Sequence, residues 1–189
     1  MITLPGMQCL VTPLSGVYVL EPEPLRDERG LFARTHCLRT FEEQGLVGRF
    51  VQCSTSFNRH QGTLRGLHYQ AEPKPEVKLV RCTRGAVFDV AVDVRPDSPS
   101  CGRWFGVTLT ADNRRSFYLP TGVAHGFQTL VDDTELFYQI SEFYVPELSR
   151  GVRWDDPQLA IDWPDPATRI MSDRDRSLPL FDDIRKGWT

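Results

Sequence analysis

Six side chains in short apolar stretches have the chemistry to move protons or hold anions. The segment "TLRGLHYQ", residues 63–70, contains Arg65 and His68, "VKLV" contains Lys78, "VFDVAV" contains Asp89, "PTGVAHGF" contains His125 and "LFYQI" contains Tyr138. An imidazole near neutrality and a phenol can serve as base and acid. Lysine and arginine can stabilise an oxyanion or bind phosphate. A single polar residue in a strand is ordinarily a hydrogen-bonded structural group. Two histidines with Lys78, Arg65 and Tyr138 among so few strands argue for a shared site.

The elements that must position these groups read as strands. "GVYVLEP", "FVQCSTSF", "LRGLHYQ", "VKLVRCTRG", "AVFDVAVDVR", "FGVTLT", "RSFYLP", "GFQTLV" and "ELFYQISEFYVP" are rich in β-branched and aromatic residues, alternate with a period of two, and are bounded by turn formers. "LRTFEEQGL" predicts one early helix, closed by Gly45. Many short strands without alternating helices predict a mainly β fold, an antiparallel sandwich or barrel. From about residue 151 the chain turns rich in Pro and Asp, which predicts irregular structure and a short helix packed on the barrel. We read residues 1–189 as one domain. Strict alternation puts Leu64, Gly66 and His68 on one face and Arg65, Leu67 and Tyr69 on the other. Either His68 or Arg65 then points inward, unless barrel twist lets both line the mouth.

Composition narrows the partners. A formal charge of −3 with basic residues scattered along the chain gives no footprint for nucleic acid. No stretch reaches the ~20 apolar residues of a membrane span and the N-terminus has no leader pattern, which predicts a soluble cytoplasmic protein. Five cysteines, odd in number and without a CxxC pair, predict free thiols.

Pro120, Gly122 and His125 look like the second half of a cupin metal motif. The first half is missing, since His68 is followed two residues on by Gln70, and we expect no metal. "DERGLF", "RGLHYQ", "KLVRCTRGAVFDVAVDVR", "SPSCGRWFGVTL", "FYLPTGVAHGFQTL", "ELFYQISEFYVP" and "WDDPQLAIDWP" fall in the order and spacing of the dTDP-4-dehydrorhamnose 3,5-epimerases, the RmlC-like enzymes of the cupin superfamily. The chain resembles that family from about residue 16 to 180.

The resemblance implies a cupin-type double-stranded β-helix, or jelly-roll barrel, with short peripheral helices. It also implies a homodimer and a dTDP-linked 4-keto-6-deoxyhexose as substrate, epimerised at C3 and C5 without a cofactor. Under it, His68 resembles the base, Asp175 the carboxylate that orients it, with Asp173 a close rival, Tyr138 the acid on the opposite face, and Lys78 the stabiliser of the enolate. Arg29 and Arg65 would meet the pyrophosphate, His125 the sugar or phosphate, and Gln52 the base, while Tyr144 would stack on the thymine. Asp89 would tune the histidine and lysine nearby. Ser54 and Arg174, like Arg34, depart from the family pattern on the nucleotide side. The alternatives are an epimerase of one centre only and a noncatalytic cupin that binds sugar nucleotides.

Overall fold

The computed structural model describes residues 6–164 and 169–186. In chain order its strands are β1 (Met7–Val11), β2 (Tyr18–Pro22), β3 (Leu25–Asp27), β4 (Gly30–Phe32), β5 (Gln52–Asn58), β6 (Leu64–Gln70) and β7 (Lys78–Arg84). After them come β8 (Ala86–Asp93), β9 (Trp104–Thr110), β10 (Ser116–Leu119), β11 (Val123–Thr129), β12 (Thr134–Ile140) and β13 (Ser149–Gly151). Helix α1 (Leu38–Glu43) lies between β4 and β5, and α2 (Asp173–Arg176) and α3 (Phe181–Lys186) follow β13.

The strands form a six-stranded sheet, ordered β1-β2-β10-β7-β12-β5, and a five-stranded sheet, ordered β13-β6-β11-β8-β9, with β3 and β4 as a separate hairpin. Their pairings are antiparallel, as the jelly roll requires. Between the sheets Val19, Val80, Phe117, Leu119 and Leu136 of the first meet Val87, Ala91, Val107, Leu109 and Phe127 of the second. Full burial of such a side chain contributes about 1.5–3 kcal/mol.

The five-stranded sheet is buried on its other face too. Alternation along β8 sends Val87, Asp89 and Ala91 inward and Phe88, Val90 and Val92 outward, where the chain after β13 covers them with Leu159, Trp163 and Phe181. This segment is therefore structured as well as Pro-rich. Ile170 pairs with the start of β6, donating its N–H to Gly62 O at 3.0 Å and accepting from Leu64 N–H at 2.9 Å. The stretch "WDDPQLAIDWPDP" ends on residues 165–166, which lie outside the described residues, as do 1–5 at the N-terminus.

Four strands escape the sequence pattern, β1, β3, β4 and β13. Strands β3 and β4 have three residues each and an exposed surface, and β13 forms because the edge of β6 accepts it at Gln70, Tyr69 and His68. The run "ELFYQISEFYVP" stops being a strand at Ile140. There the Ser141 hydroxyl accepts from Val77 N–H at 2.8 Å, ahead of β7, and the Glu142 carboxylate accepts from Phe143 N–H at 2.8 Å, a local bond that competes with a ladder. Strand β11 starts before "GFQTLV" and takes in His125. Among the described residues no helix is long and apolar enough to cross a membrane.

Candidate active site

Strand β6 resolves the choice between Arg65 and His68 by breaking its own alternation. Leu64 and Leu67 both pack in the outer cluster. Arg65 and His68 both line the same cavity on the inner side. The break is a register shift against β11, where His68 faces His125 but Arg65 faces Phe127. It centres on Gly66, whose φ is +123°, a region that L side chains rarely adopt. A Cβ there would lie 2.5 Å from Gly126 Cα and 2.8 Å from His125 O, so only glycine permits this approach of β6 to β11.

The chain after Ile170 delivers the carboxylate partner. Ser172 caps α2 by accepting from Asp175 N–H at 3.1 Å, and the buried Asp175 side chain turns toward β6. His68 Nε2–H donates to Asp175 Oδ1 at 2.7 Å, and Gly66 N–H approaches Asp175 Oδ2 at 3.4 Å. The other ring nitrogen of His68 is left to accept a proton. Between the two candidates, Asp175 is the one that meets the histidine, and Asp173 is exposed. Burial tends to raise the Asp175 carboxyl, but the His68 bond and charge, with Gly66 and Ser172, hold it below the ordinary carboxylate range.

Behind the cavity sits a second histidine–carboxylate pair. His125 Nε2–H donates to Asp89 Oδ1 at 2.6 Å, and both side chains are buried. Burial raises the Asp89 carboxyl, opposed by the His125 charge and hydrogen bond and by Lys78. The second oxygen, Oδ2, is buried with no hydrogen-bond partner among the described residues. The Tyr138 ring meets His125 edge-on at 5.8 Å. Burial, then the Asp89 charge, push the Tyr138 phenol well above its ordinary value, with Arg65 opposing. Near neutral pH Tyr138 is therefore a protonated donor.

These groups meet in a cavity of about 430 Å³, lined by His68, Arg65, Lys78, His125, Tyr138 and Asp175, with Ser54, Thr55, Ser56, Phe127 and Ile140. That size falls in the ~300–1,000 Å³ range of small-molecule sites. A larger groove of about 910 Å³ runs along Tyr69, Arg95, Arg150 and Ile184, away from His68, Tyr138 and Lys78. His68 comes from the five-stranded sheet and Tyr138 from the six-stranded sheet. An imidazole and a phenol thus enter one cavity from different sheets.

The remaining expected residues divide. Ser54 and Arg174 line the cavity, and Arg174 is anchored by a 2.7 Å bond to Ser149 Oγ. Tyr144, 54% exposed, lines a side chamber of about 190 Å³ shared with His68, Lys78 and Arg174. Gln52 stands beside it, its Oε1 accepting from Tyr144 N–H at 2.6 Å. Arg29 is not brought to the cavity within this chain. It lies in the turn joining β3 and β4, its side chain 85% exposed and bound to Asp27 at 2.5 Å. Among the described residues no group of three or more His, Cys, Asp or Glu side chains could hold a metal ion.

Sequence reasoning missed Asn58, whose Oδ1 accepts from Arg65 Nε–H at 2.7 Å, and Glu76, whose Oε1 lies 2.9 Å from Lys78 Nζ. Glu76 stands two residues before Lys78, ahead of the start of β7, after Pro75.

Residues 11–183 match the family model described as dTDP-4-dehydrorhamnose 3,5-epimerase. An enzyme of that name from Methanothermobacter thermautotrophicus is 48% identical over 168 residues, covering 88% of this chain and 90% of its own. The crystal structure of the enzyme of that name from Elizabethkingia anophelis superposes with a TM-score of 0.91 at 40% identity, over 94% of this chain and 98% of that one. A dTDP-6-deoxy-D-glucose-3,5-epimerase from Legionella pneumophila, solved in complex with dTDP-4-keto-L-rhamnose, superposes with a TM-score of 0.87 at 40% identity, covering 93% of each chain.

Proposed function

The chain belongs to the dTDP-4-dehydrorhamnose 3,5-epimerase family, and from that membership we propose that it inverts C3 and C5 of dTDP-4-dehydro-6-deoxy-D-glucose to give dTDP-4-dehydro-L-rhamnose. The C4 carbonyl acidifies the hydrogens on both neighbouring carbons. His68, oriented by Asp175, takes such a proton, and the C–H electron pair moves onto the C4 oxygen as an enolate. The Lys78 ammonium stabilises that oxyanion. Tyr138 returns a proton to the same carbon from the opposite face, so the configuration inverts. Its phenolate then regains a proton from solvent while His68 loses one. Substrate and product are isomers, and no electron acceptor enters the balance.

One observation carries this reading. The His68–Asp175 pair and the protonated Tyr138 face a single cavity from different sheets.

The substrate is a nucleotide sugar. In the same reading Arg65, steadied by Asn58, binds the pyrophosphate. His125, Ser54, Arg174, Gln52 and Tyr144 hold the sugar and nucleotide, and Asp89 tunes His125. Two copies form a homodimer. Leu25 and Phe32 on the β3–β4 hairpin, each 74% exposed, supply apolar surface for it, and sedimentation equilibrium giving a monomer would reject it. The five free cysteines fit the reducing cytoplasm, which cell fractionation tests.

Incubation with the 4-keto sugar nucleotide in D2O tests the activity. NMR should show product with deuterium at C3 and C5. Deuterium at one carbon only would reduce the activity to a single centre, and none at either would reject the epimerase.

A further inference from the structure

Lys78 is held on two sides before any substrate arrives. An ammonium carries three N–H donors on a flexible four-carbon stem. One donor meets Glu76 Oε1 at 2.9 Å and one meets the backbone oxygen of His68 at 3.2 Å. The third is left to point at a ligand. Lys78 lines both the main cavity and the side chamber, whereas Glu76 lines only the side chamber. Both side chains are nearly buried, Glu76 at 10% and Lys78 at 11% exposure. A carboxylate at that depth needs a charged partner, and so does the ammonium.

We propose that Glu76 is a positioning residue for Lys78, fixing the rotation of its ammonium so that one N–H is aimed at the oxyanion formed in the main cavity. The inference rests on the epimerase reading of the same site. The Glu76 charge also repels an enolate, but from behind the ammonium and therefore at a greater distance. The aimed N–H acts at contact distance, and Coulomb energy falls with separation, so positioning outweighs repulsion. Because Glu76 does not line the main cavity and reaches the reacting oxygen only through Lys78, its contribution belongs to kcat and leaves KM unchanged. Enolate stability also governs proton removal, so loss of Glu76 slows deuterium wash-in and epimer formation together.

The test compares Glu76→Gln, Glu76→Asp, Lys78→Met and the Glu76→Gln/Lys78→Met double variant in D2O, with dTDP affinity as the check on folding. Removal of one oxyanion donor typically costs ~10²–10³ in kcat, and a residue that only aims the donor should cost less, about tenfold. We expect Glu76→Gln to lose about tenfold in kcat at unchanged KM and dTDP affinity, with an unaltered ratio of wash-in to epimer. Glu76→Asp, which keeps the charge, should recover part of the loss. In the Lys78→Met background, Glu76→Gln should have no further effect, because its whole action passes through the ammonium. A further tenfold loss there, or an unchanged kcat in Glu76→Gln, would overturn the role. If Glu76→Gln fails to bind dTDP, the same cycle run with Glu76→Asp decides, and equal losses with and without Lys78 overturn the role. Absence of exchange in the unmodified enzyme would instead reject the epimerase reading itself.

Discussion

At the scale of single residues, the chemistry depends on keeping a phenol protonated opposite an imidazole. Burial and the Asp89 charge keep the Tyr138 hydroxyl a donor, while Asp175 keeps one nitrogen of His68 occupied and the other open. In Tyr138→Phe the base and Lys78 remain, so proton removal continues. The opposite face has no donor, and the enolate is reprotonated by His68 after exchange with water. Net epimerisation should fall by ~10²–10⁴, the usual contribution of a positioned acid or base, and deuterium wash-in into unchanged substrate should fall much less. Epimer formation at the unmodified rate would remove Tyr138 from the reaction. Equal loss of both activities would reassign its hydroxyl to enolate stabilisation. His68, Lys78, His125 and Tyr138 were legible as candidates because they are polar groups within apolar strands, whereas the roles proposed for them come from the family resemblance. Glu76 and Asn58 were less legible, since a carboxylate after a proline and an asparagine at a strand end look like ordinary turn residues until their partners are seen.

At the scale of the element, β6 is the piece that alternation misreads. A strict period of two gives Arg65 and His68 opposite faces, yet both enter the cavity because the register shifts between His125 and Phe127. The signal was present as Gly66 in "RGLHYQ", facing "AHGF" with Gly126. A lone glycine does not state which strand will approach it, and that information lies in the tertiary pairing. Most strands and α1 were legible from pattern because their buried faces repeat with a fixed period. The three-residue strands have no period to read. Gly66→Ala should therefore act well beyond its size. Its methyl would meet the backbone of Gly126 and His125 at 2.5 and 2.8 Å, and φ of +123° is unfavourable for alanine. We expect a loss of about 2–4 kcal/mol in urea unfolding, from overpacking and strain. The protein that remains folded should lose activity as β6 moves away from β11 and carries His68 off Asp175. Stability and activity close to those of the unmodified protein would show that the strands can separate without consequence.

At the scale of the whole molecule, base and acid come from different sheets, so the reaction needs the sheets held at a fixed separation. Apolar packing supplies most of that hold, and a buried ionic clasp adds to it. Asp93, fully buried where the chain leaves β8, accepts from Arg95 Nη2 at 2.7 Å, Ser98 Oγ at 2.5 Å and Ser100 Oγ at 2.6 Å. Arg95 continues to Ser15 O at 2.7 Å, and Ser15 N–H donates to Ser100 Oγ at 2.9 Å. The connection from β1 to β2, in one sheet, is thereby tied to the connection from β8 to β9 in the other. Burial works to raise the Asp93 carboxyl, but the bonds from Arg95, Ser100 and Ser98 prevail and hold it below the ordinary range. A folded-state value below the unfolded ~3.9 means that the clasp stabilises fully above about pH 4 and is lost as pH falls through the folded value. Asp93→Asn should cost about 3 kcal/mol at pH 7, the scale for breaking a buried pair by removing one partner. Because the asparagine does not titrate, the gap between the two proteins should narrow as the pH is lowered from 4 toward 3 in a series of urea unfolding curves. A gap of constant size across that series would mean that the carboxylate charge contributes nothing and that only the shape of residue 93 matters.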